Sequence, residues 1–342
     1  MSQIKKLLSI LGVFIICSCS QSGILSLNIL KKNSIINIGF AGDTSFTHGT
    51  ADDNPLKEIS KITKKFDLMF LNLETVIARN DVGSTLEGKK YNFKSPIKSA
   101  KILKNAGIDG VALANNHSLD YGKEGSLDTM KFLGKNNIKH SGIGKDIKSA
   151  YKPMLFNIKN NKIAVFSFSR VIYDISWYAT KKSHGIASAY DISINDTISA
   201  VRDAKKDKNF VIVMVHWGDE KKTKILPYQL KLIKSWGEAG VDLIVGSHPH
   251  ILGPIEKYDK LPVIFSTGNF SFPSSRGKTR KSAIFSIIID NQQIKQIKAI
   301  PIDGLWGVPM PSEEEQYKEI IRDLNGMSKS YKINKAGVLS FR

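Results

Sequence analysis

The chain reads as an α/β fold of mixed sheets, with a second sheet packed on the first and a ligand site at the carboxyl ends of its strands. Three observations predict this. Apolar, β-rich runs alternate with helical stretches through most of the sequence, the pattern of β/α units. Beyond residue 250 the strands follow one another without helices, as in an antiparallel run. Six short polar motifs each stand directly behind an apolar run: Gly42-Asp43 after IINIGFA, Asn72-Leu73-Glu74 after DLMFL, Asn115-Asn116-His117 after GVALA, His216-Trp217-Gly218 after FVIVMV, Gly246-Ser247-His248-Pro249-His250 after VDLIV, and Gly268-Asn269-Phe270 after VIFST. Ligands of open α/β sheets bind just outside the strand carboxyl ends, so motifs in one phase describe one site.

The elements follow in order. A first strand is expected at 35–41. Asn54-Pro55 opens a helical stretch to Lys65, and a strand follows at 68–71. Ser95-Pro96 starts a helix with Pro in its first turn, where the missing N–H costs nothing, and Gly107 stops it. Strand 110–114, helix 123–135 and a short strand near Ile138 come next. Strands 162–168 and 210–215 are separated by a loop around Trp177 and a helix over 192–206. Pro227 opens a helix that Gly240 stops, feeding the strand that carries the paired histidines. Strands are then expected at 255–257, 263–266, 283–289 and 293–300, the last two joined by a hairpin turn containing Asp290-Asn291. After Trp306 comes a Pro-rich stretch and a helix capped by Ser312, with Glu313 to Glu315 in its first turn.

The motifs supply two carboxylates, Asp43 and Glu74, several amides, and the histidines His117, His216, His248 and His250. Carboxylate oxygen with imidazole nitrogen suits Zn, Mn or Fe, whereas Mg or Ca favours an all-oxygen shell. A lone Asp or Glu at a strand end is often a cap. His248 and His250 carry more: two apart on a turning segment, both imidazoles face one cavity, with Pro249 stiffening the bend. Gly268 and Asn269 read as a tight turn under the site, with Asn269 able to hydrogen-bond a ligand. Trp217 reads as packing, and His140 and His184 as surface or loop histidines. Arg170, Arg276 and Arg280 read as solvated, with anion binding as the alternative.

At 342 residues the chain holds one large domain or two ordinary ones, and a hydrophobic content of 42% excludes global disorder. No apolar stretch of eighteen residues follows the first thirty positions, which argues against an internal membrane-spanning helix. The net charge of +19 is mostly scattered lysine, with no Arg-rich cluster and no zinc-finger or helix-turn-helix pattern. Nucleic acid is therefore not an expected partner. A basic surface suits anionic head groups or a polyanionic polymer.

The opening MSQIKKLLSILGVFIICSCS has Lys5 and Lys6, an apolar region over 7–16 and then small residues, the layout of a secretory signal. Ile16-Cys17-Ser18-Cys19 resembles the lipobox of bacterial lipoproteins, with Cys19 as the acylated mature N-terminus. The apolar region is too short for a comfortable span. The expected organisation is a signal peptide over 1–18, a tether over 19–34, one domain over 35–305 and a tail with a short helix over 306–342. The expected location is an exported, membrane-anchored lipoprotein on the cell-surface or periplasmic side. Cys17 would leave with the peptide and Cys19 would be thioether-linked, so the mature chain would keep no free thiol.

The stretches FAGDTSF, LNLET, ANNHSLDYG, VHWGDE, PYQ leading into AGVDLIVGSHPHILGPIE, and STGNFSF run in order over about residues 36–273. They resemble the CapA capsule-synthesis family, whose domain is similar to the calcineurin-like metallophosphoesterases. The resemblance implies an α/β/β/α sandwich with mixed sheets and a metal site at the strand C-terminal ends. It assigns Asp43 as the first-strand ligand, Glu74 as the acid bridging two metals, Asn116 as the amide ligand, and His216, His248 and His250 as the rest of the shell. His117 becomes the acid or phosphate-contacting histidine, and Asn115 and Asn269 support the site. One or two divalent ions, Mn, Fe or Zn, are the implied cofactor. The chain departs from the pattern at Ser247, where the family often has a further histidine, and at Thr44-Ser45-Phe46, where bulkier apolar residues are usual. The phosphoesterases also open with Asp-x-His; here Asp43 is followed by Thr44-Ser45, and His48 lies five residues on. The implied function is making, attaching or releasing an anionic polymer such as poly-γ-glutamate, with a polymer synthase complex as partner. A phosphatase or phosphodiesterase acting outside the cytoplasm, and a non-catalytic membrane-anchored scaffold, are the alternatives.

Mass spectrometry of the membrane form is expected to show a diacylglyceryl adduct on Cys19 and no residue before it. Mature protein still carrying residues 1–18 would contradict the lipobox reading.

Overall fold

The computed structural model describes residues 34–341 apart from 48–53, 84 and 86. Cys19, the signal and tether up to residue 33, and His48 lie outside the described residues. The first half of the chain comprises β1 (Ile36–Thr44), β2 (Leu68–Leu73), α1 (Lys98–Asn105), β3 (Gly110–Ala112), α2 (Gly122–Lys135), β4 (Lys139–Ser141), β5 (Met154–Ile158) and β6 (Asn161–Ser169). Then come α3 (Ile194–Lys206), β7 (Phe210–His216), α4 (Pro227–Ala239), β8 (Leu243–Ser247), β9 (Ile255–Tyr258), β10 (Leu261–Ile264) and β11 (Asn269–Ser271). The chain closes with β12 (Lys281–Asp290), β13 (Gln293–Asp303), β14 (Met310–Pro311), α5 (Glu314–Met327), β15 (Tyr331–Ile333) and β16 (Leu339–Phe341).

Two mixed sheets result. One has the order β14-β13-β12-β1-β2-β3-β4, with β11 also pairing β1; the other runs β9-β10-β8-β7-β6-β5. The early strands pair in parallel, β1 with β2, β2 with β3 and β3 with β4, whereas β12 and β13 are antiparallel. In the second sheet β6, β7, β8 and β10 are parallel neighbours, with Ser169, His216 and Ser247 level at their ends.

Side chains alternate across each strand, so each sheet presents two apolar faces. Phe40, Phe70 and Phe285 from the first sheet meet Val165, Met214 and Val245 from the second in one core. The opposite face of the first sheet, with Met69 and Leu71, is covered by Ala100 and Leu103 of α1 and Leu133 of α2. Phe166, Phe168 and Val213 on the far face of the second sheet meet Val201 of α3 and Leu232 and Trp236 of α4. The layers are therefore α/β/β/α. Helix α5 adds Ile320, Ile321 and Leu324 to the inter-sheet core.

Several local expectations need correction. Only Ser60–Thr63 of the 54–65 stretch is α-helical; Asn54-Pro55 leads into successive turns instead. Ser312 does not cap the last helix. Its backbone N–H is held by the carbonyl of Pro301 in β13, and Glu313 is the N-cap without a side-chain bond. Strand β5, a hairpin partner of β6, and the β15–β16 hairpin had no expected counterpart. The β12–β13 turn is built on Asn291 and Gln292, both at positive φ (50° and 62°), the left-handed pair that a two-residue hairpin turn needs.

The chain passes from β10 in one sheet to β11 in the other at the end where the motifs lie. It does so against two glycines. A Cβ on Gly246 would lie 2.0 Å from the Phe265 carbonyl oxygen, and one on Gly42 would lie 1.7 Å from the Gly268 oxygen. The Asp43 N–H donates to Gly268 O at 3.0 Å and the Thr267 N–H to Gly246 O at 3.1 Å, which fixes the crossing. At the opposite end the Ser34 hydroxyl donates to Asp290, and its carbonyl accepts from the Asn161 amide.

Because the neighbour at Gly42 is backbone, Gly42→Ala is expected to cost about 3 kcal/mol or more in urea unfolding. Gly134→Ala, in α2 with nothing within 4 Å of the new methyl, is expected to be neutral or stabilising by up to about 1 kcal/mol.

Candidate metal centre

The crossing sets the ends of the two sheets face to face. Asp43 and Glu74 come from the ends of β1 and β2, His216 from β7, and His248 and His250 from the loop after β8. Asn115, Asn116 and His117 follow β3, and Asn269 opens β11. All the expected site residues within the described part are thus brought to one place.

Two donor groups overlap there. Glu74, His216 and His248 form one, Asp43, Glu74 and His250 the other, each with its ligand atoms within 4.8 Å of one another. Glu74 belongs to both. Its Oε1 lies 3.6 Å from His216 Nε2, 3.8 Å from His250 Nε2 and 4.0 Å from His117 Nε2. Glu74 Oε1 and His248 Nδ1 are both buried with no hydrogen-bond partner. Buried polar atoms are nearly always paired, so two orphans facing a cluster of nitrogen and oxygen donors fit a divalent cation.

The backbone at the paired histidines is strained to present them. His248 has φ 97° and His250 φ 58°, a left-handed region that non-glycine residues rarely occupy. The His248 N–H reaches Asp43 Oδ2 at 3.3 Å. His250 Nδ1 lies 2.8 Å from Asn269 Oδ1 and 3.1 Å from Asp43 Oδ2, which leaves Nε2 facing Glu74.

Asn72 is the hub of the cluster, a role its motif did not disclose. Its Nδ2 donates to Asp43 Oδ1 at 2.8 Å, lies 3.2 Å from His216 Nδ1, and is itself held by Asn115, whose Nδ2 donates to Asn72 Oδ1 at 3.2 Å. Asn115 also accepts the His117 backbone N–H at 3.0 Å. Asn116 Oδ1 lies 2.8 Å from His216 Nε2, and the Ser247 hydroxyl lies 3.0 Å from its Nδ1.

His117 stands beside the cluster. Its Nδ1 lies 2.7 Å from Asp120 Oδ2, and its ring stacks on Phe93 at 4.0 Å. The buried Lys89 ammonium bonds Asp120 and lies 3.3 Å from His117 Nδ1. Phe272 packs at 4.9 Å on the ring of His250. Asp120 was within reach of sequence reasoning, three residues after His117 on the same turn. Lys89 and Phe93 sit in a segment without periodicity, and nothing in the sequence marks them.

Burial and charge set the protonation states. Burial pushes the Glu74 carboxyl well above the usual range, and the nearby Asp43 charge adds to this. Burial works against a charged His250, but Glu74 and Asp43 outweigh it and raise its pKa to about 10. Burial holds His248 neutral, with a pKa of about 3, the neighbouring His250 adding to the effect; burial also depresses His216 and His117.

The residues outside the centre behave differently. Trp217 is fully buried, its Nε1 donating to Phe265 O, and His184 bonds the Ser126 hydroxyl. Arg170 and Arg280 are not simply solvated. Arg170 lies on the Tyr190 ring at 3.9 Å, Arg280 pairs with Asp303, and Arg276 lies over the Trp306 ring at 4.6 Å. An aromatic face beside Arg170 and a carboxylate beside Arg280 replace water there, whereas Arg276 is exposed.

Residues 37–274 match the family described as bacterial capsule synthesis protein PGA_cap. The PGA biosynthesis protein CapA of Bacillus subtilis (strain 168) is 28% identical over 306 residues, covering 86% of this chain and 78% of its own. The capsule biosynthesis protein CapA of Bacillus anthracis is 27% identical over 278 residues, covering 79% and 67%. A solved structure described as a novel phosphatase, from Mycoplasma pneumoniae, has a TM-score of 0.50 at 13% identity, covering 85% of this chain and 99% of that one, which is a likeness of fold. The chain belongs to the PGA_cap family of bacterial capsule synthesis proteins.

A metal ion must displace the proton that the cluster holds on His250. Metal affinity is therefore expected to rise with pH through the neutral range, with proton release on binding measurable by calorimetry in buffers of different ionisation enthalpy. His248→Ala combined with His250→Ala is expected to remove most bound metal without unfolding the protein; equal metal content in both would contradict the assignment.

Proposed function

We propose that this chain serves the synthesis, attachment or release of an anionic polymer such as poly-γ-glutamate, using a divalent-metal centre held by Asp43, Glu74, Asn116, His216, His248 and His250. In this reading Cys19 anchors it, as an exported lipoprotein, to the membrane on which a polymer synthase works. The observation that carries the metal part is Glu74, shared by two donor groups and buried with an unpartnered oxygen. The polymer part is supported by the relatives, whose names place them in PGA and capsule biosynthesis.

A bound divalent ion supplies a Lewis acid that polarises an ester or amide oxygen and acidifies a coordinated water. The chain's own residues do the rest. Asn72 and Asn115 fix the carboxylates and the His117 backbone, so the donors are preorganised. Asp120 holds His117 Nδ1, leaving Nε2 as the atom facing the cluster. Because burial favours its neutral form, His117 is suited to accept a proton there and return it to a leaving atom. Phe93 and Phe272 wall the site against bulk water.

His117→Ala is expected to keep metal stoichiometry and lower turnover by roughly 10²–10⁴ in a screen of γ-glutamyl amides and phosphoesters. Loss of metal in that variant would make His117 a ligand. Cleavage of neither substrate class by metal-loaded wild type would remove the hydrolytic part of the reading.

A further inference from the structure

Trp306 is the one tryptophan of four that the fold leaves outside. Trp217 and Trp236 are 0% exposed and Trp177 is 5% exposed, whereas Trp306 is 45% exposed. It also adopts φ 54° and ψ 23°, a left-handed conformation that costs a bulky residue about 1–3 kcal/mol. With 45% of its surface in water, Trp306 is not a core residue.

The surroundings hold it in place. The Trp306 N–H donates to Ser275 O at 3.0 Å, and the adjoining Gly307 carbonyl accepts the buried Ser271 hydroxyl at 2.7 Å. Ser275 in turn accepts from Asn269 Nδ2 at 2.9 Å, and Asn269 bonds His250 at 2.8 Å. Trp306 is thus tied to the rim of the metal centre through Ser275 and Asn269. Arg276 lies over its ring at 4.6 Å and pairs with no carboxylate among the described residues. Two cations nearby are already engaged, Arg280 with Asp303, and Lys281 with Glu319 and Asp323. An exposed guanidinium stacked on a fixed ring is preorganised, and its charge remains available to an anion.

We infer that Arg276 and Trp306 form a subsite for an extended polycarboxylate chain leading to the metal centre, Arg276 binding a carboxylate and the Trp306 ring packing the methylenes between carboxylates. The net charge of +19 favours such a ligand electrostatically. The inference rests on the polymer reading above and names where the polymer lies.

Since the other tryptophans are buried, acrylamide quenching reports on Trp306. Soluble poly-γ-glutamate added to the full-length protein in detergent is expected to protect Trp306, whereas polyphosphate and neutral dextran are not. Arg276→Ala is expected to weaken binding roughly ten- to a hundredfold, the loss of a charge-assisted contact, and Arg276→Lys less. Trp306→Gly removes the ring while suiting the left-handed backbone, so it is expected to weaken binding without lowering the melting temperature. Metal content should be unchanged in all three. Wild-type binding with no protection, or variants that bind as wild type, would overturn the subsite and leave the polymer reading standing. Wild type that binds no poly-γ-glutamate would remove both. Protection by polyphosphate or dextran instead would overturn the polycarboxylate assignment.

Discussion

Between the two sheets the chain crosses with its carbonyls pressed against Gly246 and Gly42, closer than any side chain would allow. That contact decides how near the carboxyl ends of β1 and β8 can come. With a Cβ at either position the sheets would have to separate, and the carboxylates on one would draw away from the histidines on the other. Interiors are close-packed and do not absorb such a shift locally. The inter-sheet core of Phe40, Phe70, Met214 and Val245 then serves a second purpose, holding two rigid platforms in register at the crossing.

The cluster so assembled is costly for the metal-free fold. Asp43 and Glu74 are both fully buried, and like charges at that range oppose one another. Part of the cost is met by His250, which takes a proton and lies between them; part is met by Asn72, which donates to Asp43. The left-handed backbone at His248 and His250 is a further expense. Buried ionic networks contribute little net stability, so the arrangement fits selection for ligand geometry better than selection for stability.

Much of this was legible in the sequence, and the reasons differ by residue. His248 and His250 stood out because two imidazoles flanking a proline behind an apolar run have few other uses. The strands β1, β2, β7 and β8 were plain because both of their faces are buried and they read as unbroken apolar runs. Strand β5 was hidden because it is an edge, and Leu155, 52% exposed, breaks the alternation of the inward Met154, Phe156 and Ile158. The β15–β16 hairpin has strands of three residues, too short for any period to register. Asn72 could not be told from an ordinary strand-end asparagine, since its role lies in reaching across to Asp43 and His216. Lys89 and Phe93 arrive from a loop whose path tertiary contacts dictate. Nor does any sequence rule place a tryptophan in a left-handed turn, because local preference opposes it there.

Ser34, fastened to Asp290 and Asn161, marks where the N-terminal segment joins the fold, and β1 runs from there to Asp43. Nine extended residues span roughly 30 Å. Anything attached ahead of Ser34 therefore leaves from the pole opposite the metal ligands. Strand β1 thus sets the start of the described chain and the metal ligands a full strand length apart.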